Sequence, residues 1–426
     1  MGKRVALGLT AVLLGSLLMP VLGTKTVQAA EAADLKLNVK SAILMDAGTG
    51  QILYDNNSDV AYPPASMAKM MTEYLVMENI QSGKFKWTDM VTTSQYASDV
   101  IGSGQLLALN EQMTMKDMFS QLSIYSANDA AVALAEKIGG SEENFAKMMN
   151  AKAKELGLSD KAHFINSTGL GRADIGKYAP ASIEGETMLT AKDAAKLAYA
   201  IIRDHKEVLD FTKITSQKLR PTDKEPMVNW NWMLEGNKDN VYLKQYAYPG
   251  LDGLKTGHTD EAGYCFTGTA ERNGMRLISV VMGAPDEPKR FTETAKLLNY
   301  GFDNFEAKNV IAASTAVDSL KTVPITKGVS LTVPAVTEKA LTVVAKKGAK
   351  PEEFVQEAKA IDASKLVAPI KKGTEVGTLN VTYNNQTSTV KLVAAEDVEK
   401  GSWIRLMFRG IKDFFGGLFS GVKNLF

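Results

Sequence analysis

Three short clusters hold the side chains best suited to nucleophilic chemistry. The first, "PPASMAKMMT" over residues 63–72, places Ser66 and Lys69 three apart behind two prolines, with Glu73 following on the same side. On a helix, positions i and i+3 share a face, so hydroxyl and amine can touch. A serine is a weak nucleophile until a neighbouring base takes its proton. A lysine is such a base only where burial or a nearby cation lowers its pKa toward neutrality, so a second cation is expected elsewhere in the chain. Ser-x-x-Lys alone is weak evidence, because a serine cap followed by a solvated lysine has the same spelling.

The second cluster, "SIYSANDAA", holds Ser126 and Asn128 between two expected helices, where a sharp turn presents both to a cleft. The third, "DGLKTGHTD", puts Lys255, Thr256 and Gly257 on an expected strand, where period two sends Lys255 and Gly257 to one face. Lys255 supplies the second cation, and Gly257 is expected to leave room for a substrate beside the strand. Each cluster is weak alone. Together, in this order and with the second and third 60 and 189 residues after Ser66, they form a specific set.

The elements that must position these residues are legible from periodicity. "SAILMDAGTGQILYDNN" reads as a hairpin turning at Asp46 to Gly50. Met67, Met71 and Tyr74 recur at helical spacing, and a helix can begin only beyond Pro64. Further helices are expected over residues 115–123, 129–138, 142–156 and 190–204. "LDGLKTGHTDEAGYCFTGTAERNGMRLISVVMGA" reads as three antiparallel strands, and "ETAKLLNYGFDNF" returns to helix. The expected fold class is α+β: an antiparallel sheet covered by helices, with the terminal segments meeting in one sheet.

Beyond about Ala307 the composition shifts to alternating apolar and polar residues, with Leu379, Val381 and Tyr383 on one face of a hairpin turned at Asn384-Asn385. A small β domain fits residues 307–397, read as a spacer or platform because it holds no His or Cys. Residues 398–426 differ again. Ile404, Met407, Phe408, Ile411, Phe414, Phe415, Leu418, Val422 and Leu425 form an apolar stripe opposite Arg405, Arg409, Lys412 and Lys423. A basic, Trp- and Phe-rich amphipathic helix of this kind lies in a membrane interface, so residues 402–426 are expected to hold a membrane surface. The other reading is a helix docked on its own protein.

At the other end, residues 1–30 have a basic start at Lys3 and Arg4, an apolar run from Val5 to Leu22, and small residues at Ala29 and Ala30. This is the layout of a secretory signal peptide, with a retained membrane anchor as the alternative. Without residues 1–30, 46 basic groups face 48 acidic ones, and a balance near −2 argues against a nucleic-acid partner. Cys265 is the only cysteine, so no internal disulfide forms, and in a strand between Tyr264 and Phe266 it reads as a packed thiol. Residues 31–306 remain as the catalytic domain.

The set Ser-x-x-Lys, Ser-x-Asn, Lys-Thr-Gly matches the penicillin-recognising serine acyl-enzymes. "DAGTGQILYDNN", "PPASMAKMMT", "SANDAAVALAE", "DGLKTGHTDEAGY" and "MRLISVVMGA" closely resemble the low-molecular-mass penicillin-binding proteins that are serine-type D-alanyl-D-alanine carboxypeptidases. The likeness extends over almost the whole chain beyond residue 30, since that family follows its catalytic domain with a β-rich domain and an amphipathic anchor.

The resemblance implies that Ser66 attacks the carbonyl between the two terminal D-alanines of a peptidoglycan stem peptide, with Lys69 as its base. Ser126 and Asn128 would relay protons and hold the peptide amide. Lys255 and Thr256 would bind the terminal carboxylate, and the backbone N–H groups of Ser66 and His258 would hold the oxyanion. β-Lactams would acylate the same serine. No cofactor or metal is implied, and the enzyme would sit on the outer face of the cytoplasmic membrane.

Two other functions compete. A serine β-lactamase shares the three clusters but adds a Glu-x-x-x-Asn loop; "EPMVN" from Glu225 to Asn229 has that spelling, yet it runs into "NWNWML", which resembles the carboxypeptidases' Asn-rich segment. A catalytically silent, membrane-anchored wall-binding protein is the other, although a binding module has no need of a nucleophile beside a base. A zinc peptidase is disfavoured by the scatter of His163, His205 and His258. Arg290, in "KRFTETAKLL", reads as an exposed helix arginine with carboxylate binding as the alternative.

Overall fold

A computed structural model describes residues 34–409 and 411, which belong to one compact unit. The expected signal peptide and residues 412–426 of the expected anchor lie outside the described residues.

The expected hairpin forms from Ser41–Asp46 and Ile52–Asn56. Its first strand pairs with Met275–Ala284, Ser41 opposite Met282, which brings the two ends of the catalytic segment into one sheet. Gly263–Arg272 and Leu251–Thr259 complete five antiparallel strands, with Leu251–Thr259 at the edge. Period two divides the apolar residues of these strands between two cores. Ile43, Met45, Ile278, Val280 and Met282 pack with the helical block, whereas Ala42, Leu44, Leu277 and Val281 pack with Phe291, Leu297 and Leu298 of the closing helix Glu287–Asn304.

The helical block follows the expected spans closely at Asn128–Gly139, Glu142–Glu155 and Ala191–Asp204. The last starts with a capping box in which Thr190 and Asp193 satisfy each other's backbone N–H groups. The span expected over 115–123 differs: an α-helix holds only Met115–Ser120, and Gln121–Tyr125 widens into a π turn. Such turns collect at functional sites because they re-aim the residues that follow.

From Phe305 the chain builds strands only, apart from short 3-10 turns, until residue 403. Phe305–Ile311 pairs with Leu341–Lys346, and a separate sheet runs in the order Thr322–Pro324, Thr332–Thr337, Gln386–Ala394, Glu375–Tyr383, Val355–Ala360. Leu379, Val381 and Tyr383 are buried together as their alternation requires. Asn384 and Asn385 turn that hairpin with φ of 46° and 62°, the left-handed pair that asparagine tolerates. Gln386 Nε2 donates to the Ile52 carbonyl at 3.2 Å, one link between this β region and the catalytic hairpin.

Residues 403–409 are helical. Trp403 and Phe408 are 72% and 63% exposed, while Arg409 turns the other way and donates to the Gly328 and Val329 carbonyls.

Candidate active site

The segment that carries Ser66 and Lys69 starts as a 3-10 turn, Ala65–Ala68, that passes into the α-helix Lys69–Gln81. Ala65 is held at φ 49°, a left-handed conformation uncommon for alanine, directly before Ser66. The turn stays there because backbone packs on both of its sides. A Cβ on Gly169 would lie 2.0 Å from the Ala65 carbonyl oxygen, and one on Gly257 would lie 2.5 Å from that of Pro64. Gly257 thus makes room for the Pro64–Ser66 backbone, and it also borders the cleft beside Ser66.

Lys69 Nζ lies 2.7 Å from Ser66 Oγ, 2.6 Å from Asn128 Oδ1 and 3.0 Å from the Thr168 carbonyl. Asn128 is oriented by its other end, where Nδ2 donates to the Ile101 carbonyl. Burial, then the positive charge of Lys255, pushes the Lys69 amine well below the ordinary lysine range. Ser126 follows the π turn at φ 63°, and its buried Oγ has no hydrogen-bond partner. Lys255 is also buried and donates to its neighbour's carbonyl on Thr256 at 3.1 Å. Burial lowers its pKa too, opposed by the negative charge of Glu73.

Ser66, Ser126, Thr256, Gly257 and His258 line one cleft of about 390 Å³. Lys69, Asn128 and Lys255 stand behind its wall, which keeps the charged groups away from water and strengthens their mutual fields. His258 is exposed and its ring stacks on Tyr264 at 4.0 Å between centroids.

Arg290 differs from its expected exposed state. It is 3% exposed, lines the cleft, and donates to the Glu287 carboxylate at 2.6 Å and the Gly257 carbonyl at 3.4 Å. Burial lowers its pKa to about 10, opposed by Glu287. Its Nε has no hydrogen-bond partner.

Two contributors were not foreseen. Thr168 gives Lys69 an acceptor, and its turn is built by Asn166 Oδ1, which accepts from the Thr168 N–H, the Thr168 hydroxyl and the Gly169 N–H. The run "NSTG" carried the signal of such a turn. Trp230 lines the cleft with its Nε1 on the Tyr125 carbonyl at 3.0 Å. Glu225 is exposed and is absent from the cleft lining, whereas Cys265 is buried, its thiol pushed up to about 11 by burial.

The sequence model of the D-alanyl-D-alanine carboxypeptidase family matches residues 25–286, and that of the penicillin-binding protein 5 C-terminal domain matches residues 305–400. This chain belongs to the D-alanyl-D-alanine carboxypeptidases. The carboxypeptidase DacF of Bacillus subtilis is 36% identical over 90% of this chain and 91% of its own. Among solved structures, a peptidoglycan synthesis regulatory factor (PBP3) from Streptococcus pneumoniae superposes with a TM-score of 0.72 at 31% identity, covering 85% of this chain and 100% of that one. The ampicillin-bound penicillin-binding protein D2 of Listeria monocytogenes is 33% identical, with a TM-score of 0.53, over 63% of this chain and 100% of its own.

The carboxypeptidase is accordingly a serine-type hydrolase built on the penicillin-binding fold with a C-terminal all-β domain. The β-lactamase and silent-scaffold readings are not favoured by these relatives.

Proposed function

We propose that Ser66 is the nucleophile of this carboxypeptidase and Lys69 its base. The contact of Lys69 with Ser66 Oγ carries the assignment, because the other two partners of Nζ are carbonyl oxygens that can only accept. A neutral amine gives its two N–H bonds to Asn128 and Thr168, and its lone pair is left facing the Ser66 hydroxyl. Lys69 takes that proton as Oγ bonds to the carbonyl carbon between two D-alanines of a peptidoglycan stem. The C–N bond then breaks as the unpartnered Ser126 hydroxyl delivers its proton to the departing nitrogen and takes the proton held on Lys69 in exchange, so D-alanine leaves and Lys69 is neutral again. Water attacks the ester with Lys69 again as base, and as the acyl C–O bond breaks Lys69 returns the proton to Ser66 Oγ and the shortened peptide leaves. Thr256 meets the terminal carboxylate in the cleft, while Lys255 and Arg290 behind it supply positive potential. The backbone N–H groups of Ser66 and His258 are assigned to the oxyanion.

β-Lactams acylate Ser66 in this account, supported by the ampicillin-bound relative. Intact-mass measurement after incubation with penicillin should show the added mass of one penicillin, located on the peptide containing Ser66 and absent from Ser66→Ala. An adduct retained by Ser66→Ala would refute the assignment.

The enzyme is also proposed to be exported and to rest on the outer face of the cytoplasmic membrane, trimming pentapeptide stems and so limiting cross-links in the wall. Support comes from the layout of residues 1–30 and from the exposed Trp403, Ile404, Met407 and Phe408. Among the described residues no helix is long and apolar enough to cross a membrane.

A further inference from the structure

Glu73 sits four residues after Lys69 on the same helix and is 0% exposed. Neither of its carboxylate oxygens has a hydrogen-bond partner, and among the described residues no other carboxylate has both oxygens buried and unpartnered. Burial pushes the Glu73 carboxyl up to about 7, opposed first by the positive charge of Lys255, so the anion persists only where that charge compensates it. We propose that Glu73 is a positioning residue for the reaction, an anion buried beside both active-site lysines that keeps the ammonium proton on Lys255 and leaves Lys69 as the neutral base. This rests on the roles given above to Ser66, Lys69 and Lys255.

Those roles demand opposite charge states of two neighbouring buried amines: the base neutral, the carboxylate-binding lysine protonated. Mutual repulsion disfavours two ammonium groups but does not choose between them. Glu73 makes the choice because Lys69 already spends its N–H bonds on Asn128 and Thr168, whereas Lys255 has only the Thr256 carbonyl and depends on the buried carboxylate to hold its charge. The other groups around the lysines are accounted for. Asp129, at the start of the Asn128–Gly139 helix, acts on Lys69, but its oxygens accept from the N–H groups of Gln105, Leu107 and Ala130. Arg290, on the closing helix, disfavours a charged Lys255 and is itself held by Glu287. Ser123 Oγ faces Glu73 from the π turn without completing a hydrogen bond. Glu73 is thus the carboxylate left to hold the Lys255 charge.

The test is kcat/KM for D-alanine release from a peptide ending in D-Ala-D-Ala, followed against pH for the full-length wild type, Glu73→Gln and Glu73→Asp. Removing the anion lowers the pKa of Lys255, so its ammonium is lost at lower pH. The alkaline limb of Glu73→Gln should move down by about one pH unit or more, with KM rising along it. Its acid limb, set by Lys69, should move less, so the bell narrows, and Glu73→Asp should keep the wild-type alkaline limb. A merely structural role lowers the curve without moving its limbs, and unchanged limbs in Glu73→Gln overturn the proposal.

If Glu73→Gln does not fold, Glu73→Met takes its place. If neither folds, carbon-13 NMR of carboxyl-labelled glutamate in the wild type decides. The Glu73 signal, assigned by its loss in Glu73→Asp, should be that of a carboxylate across the alkaline limb, above the value of about 7 to which burial pushes it, and a carboxyl still protonated there contradicts the proposal. Ser66→Ala and Lys69→Ala are assayed in parallel: activity surviving in them would sink the underlying roles, whatever Glu73 does.

Discussion

A Cβ built on Gly257 lies 2.5 Å from the Pro64 carbonyl oxygen, two residues before Ser66, the proposed nucleophile. The edge strand and the nucleophile turn are therefore in backbone contact, and no flexible side chain lies between them to yield. Gly257→Ala must push the Pro64–Ser66 backbone away. Overpacking of this kind costs about 1–3 kcal/mol of stability. The displaced serine should lower kcat by about 100-fold while the protein still melts cooperatively, checked by D-alanine release beside a thermal melt.

Asn128 offers a sharper electrostatic test, since its Oδ1 lies 2.6 Å from Lys69 Nζ. Asn128→Asp places a carboxylate at that acceptor and favours the ammonium form of Lys69. The acid limb of kcat/KM should then move to higher pH, opposite in direction to the acid limb of Glu73→Gln. Asn128→Ala should instead lower activity at all pH values and destabilise by about 1–3 kcal/mol, because it leaves the Lys69 amine and the Ile101 carbonyl short of a partner.

A third prediction concerns stability alone. Burial raises the Glu142 carboxyl to about 7, although the Ser167 N–H donates to it at 2.6 Å. Its folded pKa exceeds the unfolded value of about 4.5, so its contribution is fully present below that value and is lost as pH rises through about 7. Glu142→Gln removes this dependence. Between about pH 5 and 7 the difference in unfolding free energy between mutant and wild type should grow in the mutant's favour, by about 3 kcal/mol at most, in urea titrations at each pH.

The segment at residues 403–409 leads to a membrane prediction. Arg409 is turned to the Gly328 and Val329 carbonyls while Trp403 and Phe408 point to solvent. Replacing Trp403 and Phe408 by serine should weaken sedimentation with anionic vesicles by about tenfold for each aromatic removed, leaving soluble-peptide hydrolysis unchanged. Equal binding by the double mutant would count against residues 402–426 as the membrane contact.

Much of this site could be read in the sequence because its chemistry is spelled in local patterns. Ser66 and Lys69 share a turn, Lys255 and Gly257 share a strand face, and the apolar periods place the Ser41–Asp46 and Met275–Ala284 strands in one sheet. What was not legible depends on contacts between distant segments. Thr168 reaches Lys69 through a backbone carbonyl, a group every residue has, so its identity carried little signal. Arg290 lies on a helix with exposed charged neighbours, and only the packing of that helix on the inner strands Met275–Ala284 and Gly263–Arg272 buries it within reach of the Gly257 carbonyl. The tight fit of Gly257 was hidden for the same reason: a Cβ there would meet the carbonyl of Pro64, nearly two hundred residues earlier. The π turn Gln121–Tyr125 breaks the helical period directly before Ser126, which lines the cleft, and the apolar spacing carries no sign of it.

The central claim is that Ser66 performs acyl transfer with Lys69 as its base. Its most direct measurement is D-alanine release from a synthetic peptide ending in D-Ala-D-Ala, by residues 31–426 and by the same protein carrying Ser66→Ala. The account predicts steady release by the first and none above background by the second. Release that survives in Ser66→Ala, or no release by either protein, would contradict it.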